Sequence, residues 1–98
     1  MSAAYEAAKA GGKHRGLLRI YQELPDHLIA KAIRSLAARA SEHRAWIANP
    51  ALKLGADVAA VERARLVREK WPKEVRGFEE EIDVLQGILQ ERAQRNRR

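Results

Sequence analysis

Cysteine is absent from the 98 residues, which excludes a disulfide framework, the thiolate zinc sites and a cysteine nucleophile. Such a chain needs no oxidising compartment. Aromatic residues make up only 5% against 46% hydrophobic overall, so a core must rest mainly on Leu, Ile, Val and Ala, with Trp46, Trp71 and Phe78 as the few large anchors. No apolar run approaches the roughly 20 residues needed to cross a bilayer. The N-terminus also lacks the charged-then-apolar order of a signal peptide. If the domain is exported, export is expected to be the work of another part of a longer protein.

Positive charge is what the sequence has in excess. The formal balance of +6 favours an anionic partner: nucleic acid, an acidic protein or an anionic membrane surface. Part of the excess sits in Arg92, Arg95, Arg97 and Arg98, which read either as a frayed solvated tail or as phosphate contacts. The length and the lack of linker composition suit one domain, residues 1–98.

Three prolines punctuate the chain. Residues 1–10 are alanine-rich, permitting a short helix with little to bury or a flexible segment. Gly11, Gly12 and Gly16 bracket Lys13, His14 and Arg15, a glycine density that favours a basic loop. Leu17 to Leu24 form an apolar patch of about two helical turns ending before Pro25. From Pro25 to Ala48 no breaker intervenes, and Ile29, Ile33, Leu36, Ala40, His43 and Ile47 recur at spacings of four, three, four, three and four. That is one face of a long helix. After a loop at residues 50–55, Asp57 is the expected N-cap of a third helix through Val58, Val61, Arg65 and Val67 toward Trp71, which Pro72 breaks or restarts. The last helix, expected from Pro72 to Ala93, carries Val75, Phe78, Ile82, Leu85 and Leu89 on one stripe. Gly77 and Gly87 lie off it. No strand pattern or repeat occurs, so the expected fold is all-α, a bundle of three or four main helices.

Two histidines invite chemistry. Gly11-Gly12-Lys13-His14-Arg15-Gly16 offers two cations and a proton-transferring imidazole on permissive backbone, but it is not a Walker A loop. His43 occupies a core-facing slot, either satisfied by a buried hydrogen bond or placed beside a cleft, with Arg39 one turn earlier. His27 has no supporting pattern. Cleaving RNA without metal requires a base, an acid and cations, roles that His14, His43, Lys13 and Arg15 fill if the loop folds over the long helix. On that expectation the two histidines face a common cleft. The acids Glu79, Glu80, Glu81 and Asp83 read as a solvated face, and no zinc-ligand spacing is present. Trp71-Pro72-Lys73-Glu74 joins an aromatic ring to a charged pair at a helix junction, and Trp71 is either a core anchor or a platform on which a base stacks. No cofactor is implied.

Gly11-Gly12-Lys13-His14 with Gly16, then Ile33-Arg34-Ser35-Leu36, His43, Asn49-Pro50 and the closing Trp71 to Leu89 segment together resemble the small helical C-terminal domains of bacterial polymorphic toxins of the Rhs and contact-dependent inhibition types. The resemblance implies a toxic activity released in the cytoplasm of a competing bacterium, often cleavage of RNA such as tRNA, and neutralised by a cognate immunity protein. It marks Lys13, His14, Ser35 and His43 as site positions. Leu24-Pro25 departs from the capping expected before the long helix. The rival reading is a non-catalytic helical module that binds nucleic acid or a partner protein.

Overall fold

A computed structural model describes residues 3–97. Its helices are α1 (Ala3–Lys9), α2 (Arg15–Tyr21), α3 (Asp26–Ala48), α4 (Ala60–Arg65) and α5 (Trp71–Asn96). A single 3-10 turn, Pro50–Leu52, follows α3, and a π-helical segment, Leu66–Lys70, joins α4 to α5 without a break. The chain therefore folds as four helical rods, with no strand among the described residues. The all-α bundle expected from the hydrophobic spacing is the observed architecture.

The long pair α3 and α5 forms the spine. Their direction is antiparallel: Arg92 near the end of α5 meets Asp26 at the start of α3 at 2.6 Å, whereas His43 near the end of α3 meets Glu74 near the start of α5 at 2.6 Å. Each member of the α3 stripe is buried or half-buried, with Ile29 and Ala40 sealed. On α5 the expected stripe is also turned inward, but it is only half of what that helix buries. Val84, Gly87 and Ile88 lie on another side and are buried by α1 and α2.

That second face explains α1. Residues 3–9 have one large apolar side chain, Tyr5, and it is 2% exposed, packed with Ala8, Leu18, Ile29, Val84, Leu85 and Ile88 in the main core. A β-carbon on Gly87 would lie 2.2 Å from the Tyr5 ring, so glycine there is what lets the ring reach the α5 backbone. The expectation that residues 1–10 have little to bury is corrected by this contact; residues 1 and 2 lie outside the described range. Tyr5 also donates its hydroxyl hydrogen to Glu91.

Gly11 ends α1 as a helix C-cap. Its φ is +89°, the Gly12 N–H bonds to the Ala7 carbonyl at 2.8 Å, and the Gly11 N–H bonds to the Ala8 carbonyl at 3.1 Å. This is the Schellman arrangement, which closes the helix and reverses the chain. The glycine pair read as permissive backbone of a basic loop works as a helix stop. Gly16 lies inside α2.

The region before Pro72 differs from the sequence expectation. Asp57 caps nothing; Ala59 precedes α4, and its side chain cannot accept a hydrogen bond. Val61, placed on the apolar face by spacing, is 84% exposed. Pro72 does not break the rod; it stands in the first turn of α5, where the last helix was expected to begin. Proline lacks an N–H and its ring crowds the carbonyl four residues back. Upstream the backbone has already widened to π geometry, with the Trp71 N–H bonded to the Leu66 carbonyl five residues earlier. That wider turn accommodates the proline without ending the rod.

Candidate functional site

His14 precedes α2 in a left-handed conformation, φ +69° and ψ +15°. Histidine tolerates this region better than most residues, yet the conformation still costs on the order of 1 kcal/mol and needs support from its surroundings. Support comes from α5. His14 Nε2 lies 2.9 Å from Glu80 Oε1, and Lys13 Nζ lies 2.8 Å from the same oxygen. Hydrogen bonds from His14 and then Lys13 hold the Glu80 carboxyl below the usual carboxylate range. The acid is ionised, so Nε2 must be the donor and carries a proton. A neutral ring then presents Nδ1 as an acceptor. That atom has no hydrogen bond among the described residues and is not sealed from water.

Beside this triad opens a cleft of about 340 Å³, lined by Ala3, Ala4, Ala7, Lys13, His14, Glu80 and Asp83. Its volume sits at the lower end of the range for small-ligand sites, roughly 300–1,000 Å³. The alanines of α1 form its apolar wall. The charged groups come from the turn before α2 and from α5.

His43 lies elsewhere. It is 9% exposed, with Nδ1 2.8 Å from the Arg39 carbonyl and Nε2 2.6 Å from Glu74 Oε2. A carbonyl only accepts, so Nδ1 carries a proton, and the Nε2 contact needs a second proton shared with Glu74. The ring packs 4.5 Å from Trp46 and 5.1 Å from Phe78 by centroid distance, and Trp46 lies 5.6 Å from Trp71. Lys53 Nζ caps Trp46 at 4.8 Å. This polar-aromatic plug joins α3 to α5. Both nitrogens of His43 are engaged, and it does not line the His14 cleft. The expectation of a common cleft for the two histidines is therefore corrected: each takes a different carboxylate of α5.

The remaining candidates divide likewise. Trp71 is 4% exposed, so its ring is a core anchor and offers no face for a base to stack on. Arg39 is exposed and contributes its backbone carbonyl to His43. Ser35 lies exposed on α3, Arg15 on α2 and Lys73 on α5. No group of three or more His, Asp or Glu side chains gathers as a metal-ligand set among the described residues. No described helix is long and apolar enough to cross a membrane.

Glu80 is the residue of the candidate cleft that sequence reasoning passed over, and Glu74, noted only as half of a charged pair beside Trp71, proves to be the partner of His43. Glu80 was read as part of a solvated acidic run. A signal was present: Glu80, Val84, Gly87 and Glu91 follow one another at four, three and four, a second stripe on the last helix.

Compared with protein-family models, with curated proteins and with solved structures, the chain matches none.

Proposed function

We propose that this chain is an antibacterial toxin domain that cleaves RNA without a metal ion, delivered into a competing cell's cytoplasm as part of a larger exported protein and neutralised by a cognate immunity protein. The observation that carries the reading is His14 in the lining of the cleft, its Nε2–H held by ionised Glu80 and its Nδ1 without a hydrogen bond and not sealed from water. A carboxylate that holds one imidazole nitrogen as a donor orients the other as a base.

In the proposed reaction His14 Nδ1 takes the proton of a ribose 2′-hydroxyl. The freed oxygen attacks the neighbouring phosphorus, the bond to the 5′-oxygen breaks, and water protonates that leaving oxygen. Lys13 is 71% exposed on its side chain and can turn from Glu80 toward the phosphate, offsetting its developing charge. The resemblance to polymorphic toxins and the net charge of +6 supply the RNA part of the reading.

The seclusion of His43 favours a second reading, a basic helical module that binds RNA or a partner protein without cleaving it. One experiment separates them. Purified protein is incubated with total bacterial RNA in excess chelator, alongside His14→Ala and Glu80→Gln. The toxin reading expects discrete fragments from the parent and a loss of about 10²–10⁴-fold for His14→Ala, with the helical spectrum and melting temperature retained. Parental cleavage by a folded His14→Ala protein removes the assigned role. RNA binding with no cleavage by the parent selects the second reading.

A further inference from the structure

Two glycines interrupt α5, and the fold needs only one of them. Gly87 is required by the Tyr5 ring, which stands where its β-carbon would be. At Gly77 a β-carbon would meet nothing within 4 Å among the described residues. Its backbone is helical, with no positive φ to demand glycine. A glycine inside a helix weakens it relative to alanine. Nothing in the packing of α5 offsets that loss.

The surroundings of Gly77 point to a ligand. Lys73, Arg76, Gly77 and Glu80 follow at three, one and three, so they share one face of α5. With 100° and about 1.5 Å per residue, Lys73 lies within about 20° of Glu80 and roughly 10 Å before it along the axis. Lys73 and Arg76 are exposed, and neither forms an ion pair among the described residues. Farther along α5 the same side is covered by α1, through Tyr5 against Gly87 and Glu91. Toward Lys73 that cover has ended. The face thus sets a half-buried glycine beside two exposed cations, and at Glu80 it meets the cleft of His14.

We infer that this strip, Lys73–Arg76–Gly77, carries the sugar-phosphate backbone of a single RNA strand whose reacting phosphate lies at His14. The inference rests on the RNA reading above and names how that site holds its substrate. A polyanion is the occupant that the unpaired charges complement. Glycine beside the two cations lets a sugar or phosphate approach the helix surface more closely than any other residue would.

Gly77→Ala separates this from a structural role, because stability and binding should move in opposite directions. Melting is followed by circular dichroism. Binding of a fluorescein-labelled single-stranded RNA oligonucleotide is followed by anisotropy from 50 to 200 mM salt, in the His14→Ala background so that the probe stays intact. Gly77→Ala should raise the melting temperature by about 4 °C and weaken binding about fivefold or more. The Lys73→Ala, Arg76→Ala double variant should lower the salt slope by about 1.4, two phosphates at roughly 0.7 each. A more stable Gly77→Ala protein that binds as tightly as its parent overturns the inference. Unchanged binding by both variants overturns it too. Neither result touches the toxin reading, which stands or falls on cleavage by the intact protein. An intact protein that neither binds nor cleaves RNA overturns both.

Discussion

Tyr5 is a buried phenol whose hydroxyl donates to the Glu91 carboxylate, and the two groups titrate in opposite directions because of it. Burial, then the hydrogen bond to Glu91, raises the tyrosine from 10.0 to about 12. The folded chain therefore holds that proton more tightly than the unfolded chain. Its contribution to stability is complete below pH 10 and is lost as pH rises toward 12. The hydrogen bond from Tyr5 holds Glu91 below the usual carboxylate range, so the carboxylate's contribution is present above that range and lost in acid. Between those limits, Tyr5→Phe should cost about 1–2 kcal/mol in urea unfolding at pH 8. The gap should close by pH 11.5, where the parent has lost its advantage and phenylalanine has nothing to lose. A gap that stays constant across this range would show that the hydroxyl contributes no more than packing. The same pair marks the limit of single-residue reading. His43 was legible as core-facing because five apolar partners share its spacing, whereas its acceptor Glu74 and the Tyr5–Glu91 and His14–Glu80 pairs join residues 31 to 86 positions apart. Local pattern carries no record of such partners.

Elements with an amphipathic repeat were legible, and those held by a neighbour's shape were not. The α3 stripe and the first stripe of α5 follow directly from spacing. α1 does not: seven residues with one large apolar side chain form a marginal helix alone, and only the notch at Gly87 gives it a seat. At α4 the misreading ran the other way, since its spacing resembled a core helix although no residue in it is buried. Instead α4 extends from the π-helical segment, with Glu62 and Arg65 paired on its own surface at 2.6 Å. An element with no buried face should open without the rest unfolding. Amide exchange is therefore expected to be orders of magnitude faster over residues 60–65 than over the middle of α3, and Val61→Asp should alter stability by less than about 0.5 kcal/mol. Protection in α4 equal to that in α3, or a large loss from Val61→Asp, would mean that this end is packed in solution.

The whole molecule is a long body, 58 × 25 × 19 Å, with a Cα radius of gyration of 16.6 Å, against about 13 Å for a compact domain of 100 residues. Length matters for where its charge acts. The arginines from Arg92 onward were read as one tail, but Arg92 belongs to the fold: it reaches Asp26 at 2.6 Å and the Gln22 carbonyl at 2.9 Å, fastening the end of α5 to the start of α3. Removing everything after Leu89 would also take away Glu91, the partner of Tyr5 and Lys9. The informative truncation is after Gln94, which deletes Arg95, Arg97 and Arg98 while sparing those links. Arg95 lies about 22 Å beyond Glu80 along α5 at 1.5 Å per residue, too far for a short strand seated at His14 to touch it. On the proposed RNA-cleaving reading, the truncated protein should cleave a four-nucleotide RNA at the parental rate and bind it within about twofold. With a long RNA that can follow α5 to its end, the salt slope should fall by about 2, three phosphates at roughly 0.7 each. The comparison of short and long substrates is what assigns the tail. A tenfold loss on the short strand would bring these arginines into the site itself and require a substrate path along the whole of α5, whereas an unchanged slope on the long one would leave them as solvated charge.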